Sequence, residues 1–467
     1  MTRLAFLLSA LALAFTAAPA DAQTLPRRAG LGVSLGPLEG GAPGVSVRAV
    51  LPGQTGEALG LREGDVILRA GAAPVAAVPD VVAYAGRLAT GAPVELTVRR
   101  AGREMRLRGR ARARPLESWD GGARVDYGAV PWRGGQLRDI LVTPANATAD
   151  TPVVFLIQGF SCASIDSIPA AHPYRALGTE LVRQGIAYYR VEKAGLGDSA
   201  GTPSCADIDF AAEMEGFAAA YRHLVETRGI SADRIFMFGH SLGGYQAPLL
   251  AAERAPRGVA VYGTLVKSWG DYHRDLMQFQ PFTHGGEDPV AVSARNDSDR
   301  ELFRRYYFLR QSPSAIAAES PDSAARLREI LNWDGGERAM GRHWKFMQDL
   351  AHVPVIPAWR DTRSNVLAMY GEADFAALWD EDHRLIVDMV NHWRPGTARF
   401  LSFARTGHGM ELEGTKEEIR ARNIAGTEAP QAPFNAEVPN AVAAWIRESM
   451  ARPPVGTQAQ PSPAPAS

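Results

Sequence analysis

Cysteine is nearly absent: the 467 residues hold two, Cys162 and Cys205. No Cys-x-x-Cys pair, His-Glu-x-x-His helix or dense carboxylate group occurs, so no metal site is implied and no cofactor is called for. Lys and Arg form no basic tract and the formal net charge is -1, which argues against nucleic acid or an anionic membrane surface as partner. Past the N-terminus no apolar run approaches the ~20 residues a bilayer span needs, so no membrane span is expected.

The N-terminus reads as a secretory leader. Arg3 supplies a positive start, residues 4–15 are small and apolar, and Ala20-Asp21-Ala22 fits a small-x-small cleavage site. Residues 1–22 are therefore expected to be removed and the mature protein to be periplasmic or secreted, a setting that permits a disulfide. Residues 451–467, rich in Pro and Ala, are expected to form a disordered tail. The hydrophobic fraction of 46% is ample for a large core, and the length predicts two to three domains.

Between residues 27 and 114 short strands alternate with Gly and Pro. Strands are expected over 44–50, 65–68 and 94–99, with helices over 55–61 and 80–88. The stretch Ala58-Leu-Gly-Leu-Arg-Glu-Gly-Asp-Val-Ile-Leu68 resembles the bacterial type of PDZ domain. That resemblance implies a small, mostly-β domain that binds a peptide C-terminus by strand addition, its carboxylate held by backbone amides of Gly30, Leu31, Gly32 and Val33. A structural appendage without a ligand is the alternative.

From 120 to 450 the texture is that of strands alternating with amphipathic helices, as in a doubly wound, mainly parallel α/β sheet. Val153 to Ile157 is apolar throughout, as a strand buried on both faces should be. The strand expected over 234–238 runs into Gly239-His240-Ser241-Leu242-Gly243 and then a helix over 244–254. Between a buried strand and a helix, Gly-x-Ser-x-Gly marks a nucleophile on a tight turn that needs small neighbours two residues away on each side. A serine hydroxyl needs a base, and the base an orienting acid. Asp374 follows a strand expected over 365–370, and His408, flanked by Gly407 and Gly409, follows one over 398–403. Both therefore fall in loops past strand ends, where open α/β sheets place their chemistry. Glu372 is the alternative acid.

These residues resemble the α/β-hydrolase superfamily, near its esterase and serine aminopeptidase branches. The resemblance implies a Ser241–His408–Asp374 triad and an oxyanion hole formed by the amides of Leu242 and Phe160, although Gln158-Gly159-Phe160 stands where the family usually has His-Gly. Gly195-Leu-Gly-Asp-Ser-Ala-Gly201 resembles the family's Gly-rich loop, with Asp198 as a loop-ordering carboxylate. Cys162 and Cys205 follow these two loops, so a disulfide between them would pin the oxyanion loop. An insertion over about 270–359, with helices over 301–310 and 323–331 and no strand texture, would be a lid. The aromatics just before and within it, with Trp269, Phe303, Tyr306, Tyr307, Trp333 and Trp344 among them, suggest an apolar or aromatic acyl pocket.

The reading that follows is an exported serine hydrolase of carboxylic esters, acting on a small-molecule ester or acyl substrate through an acyl-enzyme. A serine peptidase or amidase with the same triad is the alternative, as is a catalytically idle PDZ-type binding protein. Since each segment is long enough for its own core, small-ester turnover is expected to survive loss of the first domain.

Overall fold

The computed structural model describes residues 25–38, 43–427, 429 and 431–455. The expected leader lies outside the described residues, as does the tail beyond 455. The start of that tail is held in place, because the Arg452 carbonyl accepts a hydrogen bond from the Arg257 guanidinium.

The first domain is mostly β. Strands β1 (Val33–Pro37), β2 (Val45–Val50), β3 (Val66–Ala70), β4 (Ala73–Pro74), β5 (Pro93–Arg100) and β6 (Arg103–Arg110) form one sheet in the order β1-β2-β3-β5-β6, with β4 paired to β3. Helices α1 (Thr55–Leu59) and α2 (Val78–Gly86) accompany it. Val45, Val47, Ile67, Leu96 and Val98 alternate inward from three strands and are buried with Val81 of α2. Sequence reasoning missed β6: Met105 and Leu107 alternate with charged residues in Arg103-Glu-Met-Arg-Leu-Arg-Gly-Arg110, but the strand is exposed along nearly its whole length and its arginines read as a solvated stretch.

The second domain is an eight-stranded sheet. Strands β7 (Arg124–Trp132), β8 (Gly135–Thr143), β9 (Val153–Ile157), β10 (Ala187–Val191), β11 (Ile235–His240), β12 (Gly258–Tyr262), β15 (Asn365–Gly371) and β16 (Ala398–Phe403) lie in the order β16-β15-β12-β11-β9-β10-β8-β7. The six strands from β9 onward pair in parallel, while β8 runs antiparallel to both β10 and β7. Helices cover both faces. Phe155, Ile157, Met237 and Val261 pack on the side of α4 (Phe210–Glu226), α5 (Leu242–Glu253) and α12 (Glu381–Trp393). Val154, Leu156, Phe236 and Phe238 pack on the side of α3 (Pro173–Arg183) and α14 (Glu437–Met450). Alternate residues of one strand thus enter different cores, which is why these strands read as unbroken apolar runs.

Between β12 and β15 the chain forms a mostly helical layer: α6 (Trp269–Thr283), α7 (Pro289–Phe303), α8 (Pro313–Ala317), α9 (Pro321–Leu331), α10 (Trp344–Leu350) and α11 (Val355–Asp361). Two expectations for this layer need correction. It contains a hairpin, β13 (Arg338–Ala339) with β14 (Arg342–His343), whose strands are too short to leave a periodic signal. The helix expected from 301 instead starts at Pro289 and ends at Phe303, where a wider π-turn over Arg304–Phe308 lets the adjacent Tyr306 and Tyr307 both bury. Trp269, Phe303, Tyr306, Tyr307 and Trp333 are spent on the buried core rather than on an open pocket. Helix α13 (Lys416–Ala425) follows β16.

The segments at both ends of the first domain grip the second. Arg27 pairs with Asp166 and with Asp198 (2.5 Å), Arg114 pairs with Asp198 (3.2 Å), and the Arg28 amide donates to Asp198 (2.8 Å). Asp198, fully buried, also lies 3.4 Å from Arg138. The partners of its carboxylate all come from outside the Gly-rich loop, three of the four from the segments that flank the first domain, so it ties that loop to those segments rather than ordering the loop from within.

Candidate active site

Ser241 sits between β11 and α5 with φ 56° and ψ −124°, a conformation that costs a non-glycine residue and persists only where its surroundings fix it. The surroundings are steric. A Cβ on Gly239 would fall 2.4 Å from the Gly243 carbonyl oxygen, and one on Gly243 would fall 1.9 Å from that of Ile157. Both glycines of the motif are thus required by close backbone approach, as the turn predicts.

His408 Nδ1 lies 2.8 Å from Asp374 Oδ2. The other carboxylate oxygen accepts the amides of Ala376 (2.7 Å) and Ala377 (2.8 Å). Burial pushes the Asp374 carboxyl up, but His408 and the two amides outweigh it and hold it below the ordinary range. For His408 burial favours the neutral ring, yet the Asp374 carboxylate, helped by Glu411 and Glu413, raises its pKa above 6.5. Glu372 is elsewhere: its carboxylate accepts from Ser402 Oγ (2.9 Å) and has no contact with His408. Asp380, just before α12, pairs with Arg384, and Asp382 accepts from the Val266 amide and pairs with Lys267.

Several contributing residues left no sequence signal. A Cβ on Gly263 would lie 3.0 Å from both Asp374 Oδ2 and His408 Nδ1, at φ +61°, so the residue just past β12 leaves room for the pair. Tyr262 donates to the Gly407 carbonyl (2.7 Å) and so fixes the histidine loop. His240, inside the motif, is pushed down to about 3 by burial and by the nearby His408 and is therefore neutral. Its Nε2 is 2.8 Å from the His408 carbonyl, which can only accept, so the proton is on Nε2. Its Nδ1, 2.8 Å from the Tyr174 hydroxyl, accepts, and that hydroxyl accepts in turn from the Gly159 amide (3.0 Å). One chain of hydrogen bonds thus joins the Gly159 loop to the His408 loop.

The amides of Leu242 and Phe160 have no hydrogen-bond partner among the described residues. Gly159 is against Ser241, since a Cβ there would lie 3.2 Å from Ser241 Cβ. Cys162 and Cys205 form a disulfide, with Cα atoms 5.8 Å apart, that ties the loop after β9 to the segment before α4. In the first domain the Gly30 amide is already used by the Arg112 carbonyl (3.4 Å), whereas those of Leu31 and Gly32 have no partner among the described residues. Val33 opens β1. No group of three or more His, Cys, Asp or Glu side chains among the described residues could hold a metal.

Residues 169–300 match the family model of the serine aminopeptidases, S33. No curated protein matches the chain. Among solved structures it is similar to Est1E from Butyrivibrio proteoclasticus, at 15% identity over 70% of this chain and 99% of that one, with a TM-score of 0.42. It is also similar to a proline iminopeptidase from Mycobacterium smegmatis, at 18% identity over 70% and 99% of the two chains, with a TM-score of 0.43. A third is the Pyrococcus furiosus esterase Pf2001, at 12% identity over 73% and 95%, with a TM-score of 0.41. Together with the sheet order and the sharp turn at Ser241, the family match supports a hydrolase of the α/β-hydrolase superfamily.

Proposed function

We propose that the protein is an exported serine hydrolase that cleaves carboxylic esters through Ser241, His408 and Asp374. The observation that carries this reading is the His408–Asp374 pair at 2.8 Å, set past the strand ends, together with a serine held at positive φ next to His240, whose ring bonds to the His408 carbonyl. Ser241 Oγ bonds to the substrate carbonyl carbon as its proton passes to His408 Nε2. The amides of Leu242 and Phe160 receive the oxyanion, and the alcohol leaves with the proton from His408. Water then repeats the steps on the acyl-enzyme. Asp374 holds the proton on Nδ1, which leaves Nε2 free to act as base. Export accords with the leader-like N-terminus and with the Cys162–Cys205 disulfide.

A fluorophosphonate probe should label the wild type at Ser241 and leave Ser241→Ala unlabelled, with thermal unfolding little changed. Parallel assays on p-nitrophenyl esters and aminoacyl anilides then decide between ester and peptide substrates; preference for the anilides would make the protein an aminopeptidase. Absence of labelling and of turnover would leave the idle binding protein.

For the first domain we propose a PDZ-type peptide site. Strand β1 is a free edge of its sheet, α2 packs beside it, and Val82 of α2 is 58% exposed. An added peptide strand would run along β1 with its carboxylate toward the amides of Leu31 and Gly32. Titration with C-terminal peptides and their amidated forms tests this, since a site of this kind loses affinity on amidation.

A further inference from the structure

Beneath the oxyanion loop lies a charged cluster that the triad does not use. Lys193, two residues past β10, is buried, and its Nζ donates to the Gly159 carbonyl (2.6 Å). The same ammonium lies 3.2 Å from Glu213 of α4. The other oxygen of Glu213 takes Arg342 of the lid hairpin at 2.7 Å. Arg342 in turn donates to the Phe160 carbonyl (3.0 Å), and its guanidinium is 3.8 Å from the centre of the Phe346 ring. Gln246 of α5 also donates to Glu213 (3.0 Å). Two cations and one anion thus share a buried site, an arrangement that core packing does not call for and that desolvation opposes.

The consequence follows from peptide geometry. The Gly159 carbonyl and the Phe160 N–H belong to one planar trans unit and point in opposite directions. A donor that fixes the carbonyl therefore fixes the amide. Tyr174 already holds the Gly159 N–H, so Lys193 immobilises the remaining polar group of that residue. We infer that Lys193 and, through Glu213, the lid residue Arg342 are positioning residues, which hold the carbonyls of Gly159 and Phe160 so that the Phe160 amide faces the oxyanion. The cluster's surplus positive charge acts in the same sense. The layer between β12 and β15 thereby contributes to the oxyanion hole.

This inference rests on the serine hydrolase reading, and the test separates the two. Wild type, Lys193→Met, Lys193→Arg and Arg342→Lys are compared for kcat and KM on p-nitrophenyl butyrate and for inhibition by phenylboronic acid, whose serine adduct places an oxygen in the oxyanion site. Lys193→Met should lower kcat about 10- to 100-fold, below the 10²–10³ cost of deleting a donor outright, because the amide is loosened rather than lost. KM should move less than about threefold, the boronic acid should weaken in parallel with kcat, and Lys193→Arg should recover most of both. A folded Lys193→Met with kcat within about twofold of wild type overturns the inference. So does a fall in kcat with unchanged boronic acid affinity. Should Lys193→Met not fold, Arg342→Lys decides: its ammonium cannot bridge Glu213 and the Phe160 carbonyl as the guanidinium does, and unchanged kcat and boronic acid affinity again overturn it. A wild type that neither reacts with fluorophosphonate nor hydrolyses esters refutes the hydrolase reading itself.

Discussion

His408 and Asp374 meet through a single hydrogen bond of 2.8 Å, and the carboxylate spends its other oxygen on the amides of Ala376 and Ala377. The acid is thus oriented before it meets the ring. Asp374→Asn presents an amide whose NH2 cannot accept the Nδ1 proton, so the wrong tautomer is favoured. Its kcat should fall by orders of magnitude, with ~10⁴ the scale of that substitution in another triad. Glu372→Gln should stay near wild type, because Glu372 serves Ser402. Steady-state kinetics on one ester ranks the two.

The pH profile should carry the same pair. The His408 pKa is raised above 6.5, chiefly by Asp374 against the effect of burial. Only the neutral ring can take the serine proton, so kcat/KM should climb with pH to a midpoint above 6.5. Removing the anion in Asp374→Asn should move the midpoint of the residual activity down. A profile that is flat from pH 5 to 9 would contradict His408 as the base. Stability has the opposite sign for the two groups. The raised His408 pKa stabilises the fold below the ordinary histidine pKa, and this is lost as pH rises through the folded value. The depressed Asp374 pKa stabilises above the ordinary carboxyl pKa, and this is lost as pH falls through the folded value.

Gly263→Ala should damage the site without touching a triad member. Its Cβ would fall 3.0 Å from Asp374 Oδ2 and from His408 Nδ1, and its φ of +61° disfavours any side chain. The expected result is a clear loss of kcat with a lowered Tm; a crystal structure of the variant should show His408 displaced.

These positions differ in how far the sequence announces them. Buried parallel strands write themselves as apolar runs, and Ser241 and Asp374 each lie within a few residues of one, whereas His408 follows the half-buried edge strand β16 and is marked instead by its flanking glycines, so the three candidate residues could be read along the chain. Gly263 is one glycine of 46, and nothing local distinguishes it. Lys193, Glu213 and Arg342 come together only because the end of β10, α4 and the β13–β14 hairpin converge, and each alone reads as an ordinary solvated charge. Strands β7 and β8 went unread for want of a clean alternation, and in the exposed β6 the alternation of Met105 and Leu107 is masked by the surrounding arginines. The expected independence of the first domain failed to anticipate Arg27 and Arg114, whose partners lie far along the chain in Asp166 and Asp198.

Reduction of the Cys162–Cys205 bond should be measurable. The two residues are 43 apart, and a loop of that size typically contributes about 2–4 kcal/mol when closed. Intact mass should rise by two hydrogens on reduction, Tm should fall, and ester turnover should fall with it if the loop carrying Phe160 loosens. Two alkylatable thiols in protein isolated from an oxidising compartment would refute the bond.

The join between the domains gives the last prediction. Asp166 and Asp198 are fully buried carboxylates, and Arg27, itself only 15% exposed, binds both. Removing one partner of a buried pair leaves charge without compensation, which costs more than the pair contributes. Arg114 and Arg138 still reach Asp198 after loss of Arg27, which should limit the cost. Arg27→Met should therefore destabilise the protein by about 2–4 kcal/mol. A chain beginning at Glu117 loses Arg27, Arg28 and Arg114 together and leaves Asp198 with Arg138 as its remaining cation among the described residues. It should unfold at lower temperature than Arg27→Met, and Asp198→Asn in the same truncated chain should restore part of the loss by removing the charge that has lost its partners. Asp198 lies in the Gly-rich loop after β10, beyond Lys193, so small-ester kcat should fall with truncation and recover partly with Asp198→Asn. Thermal unfolding and ester turnover of the full protein and the three variants check this. A truncated chain as stable and as active as the full protein would show that the arginine contacts join the domains without supporting the second one.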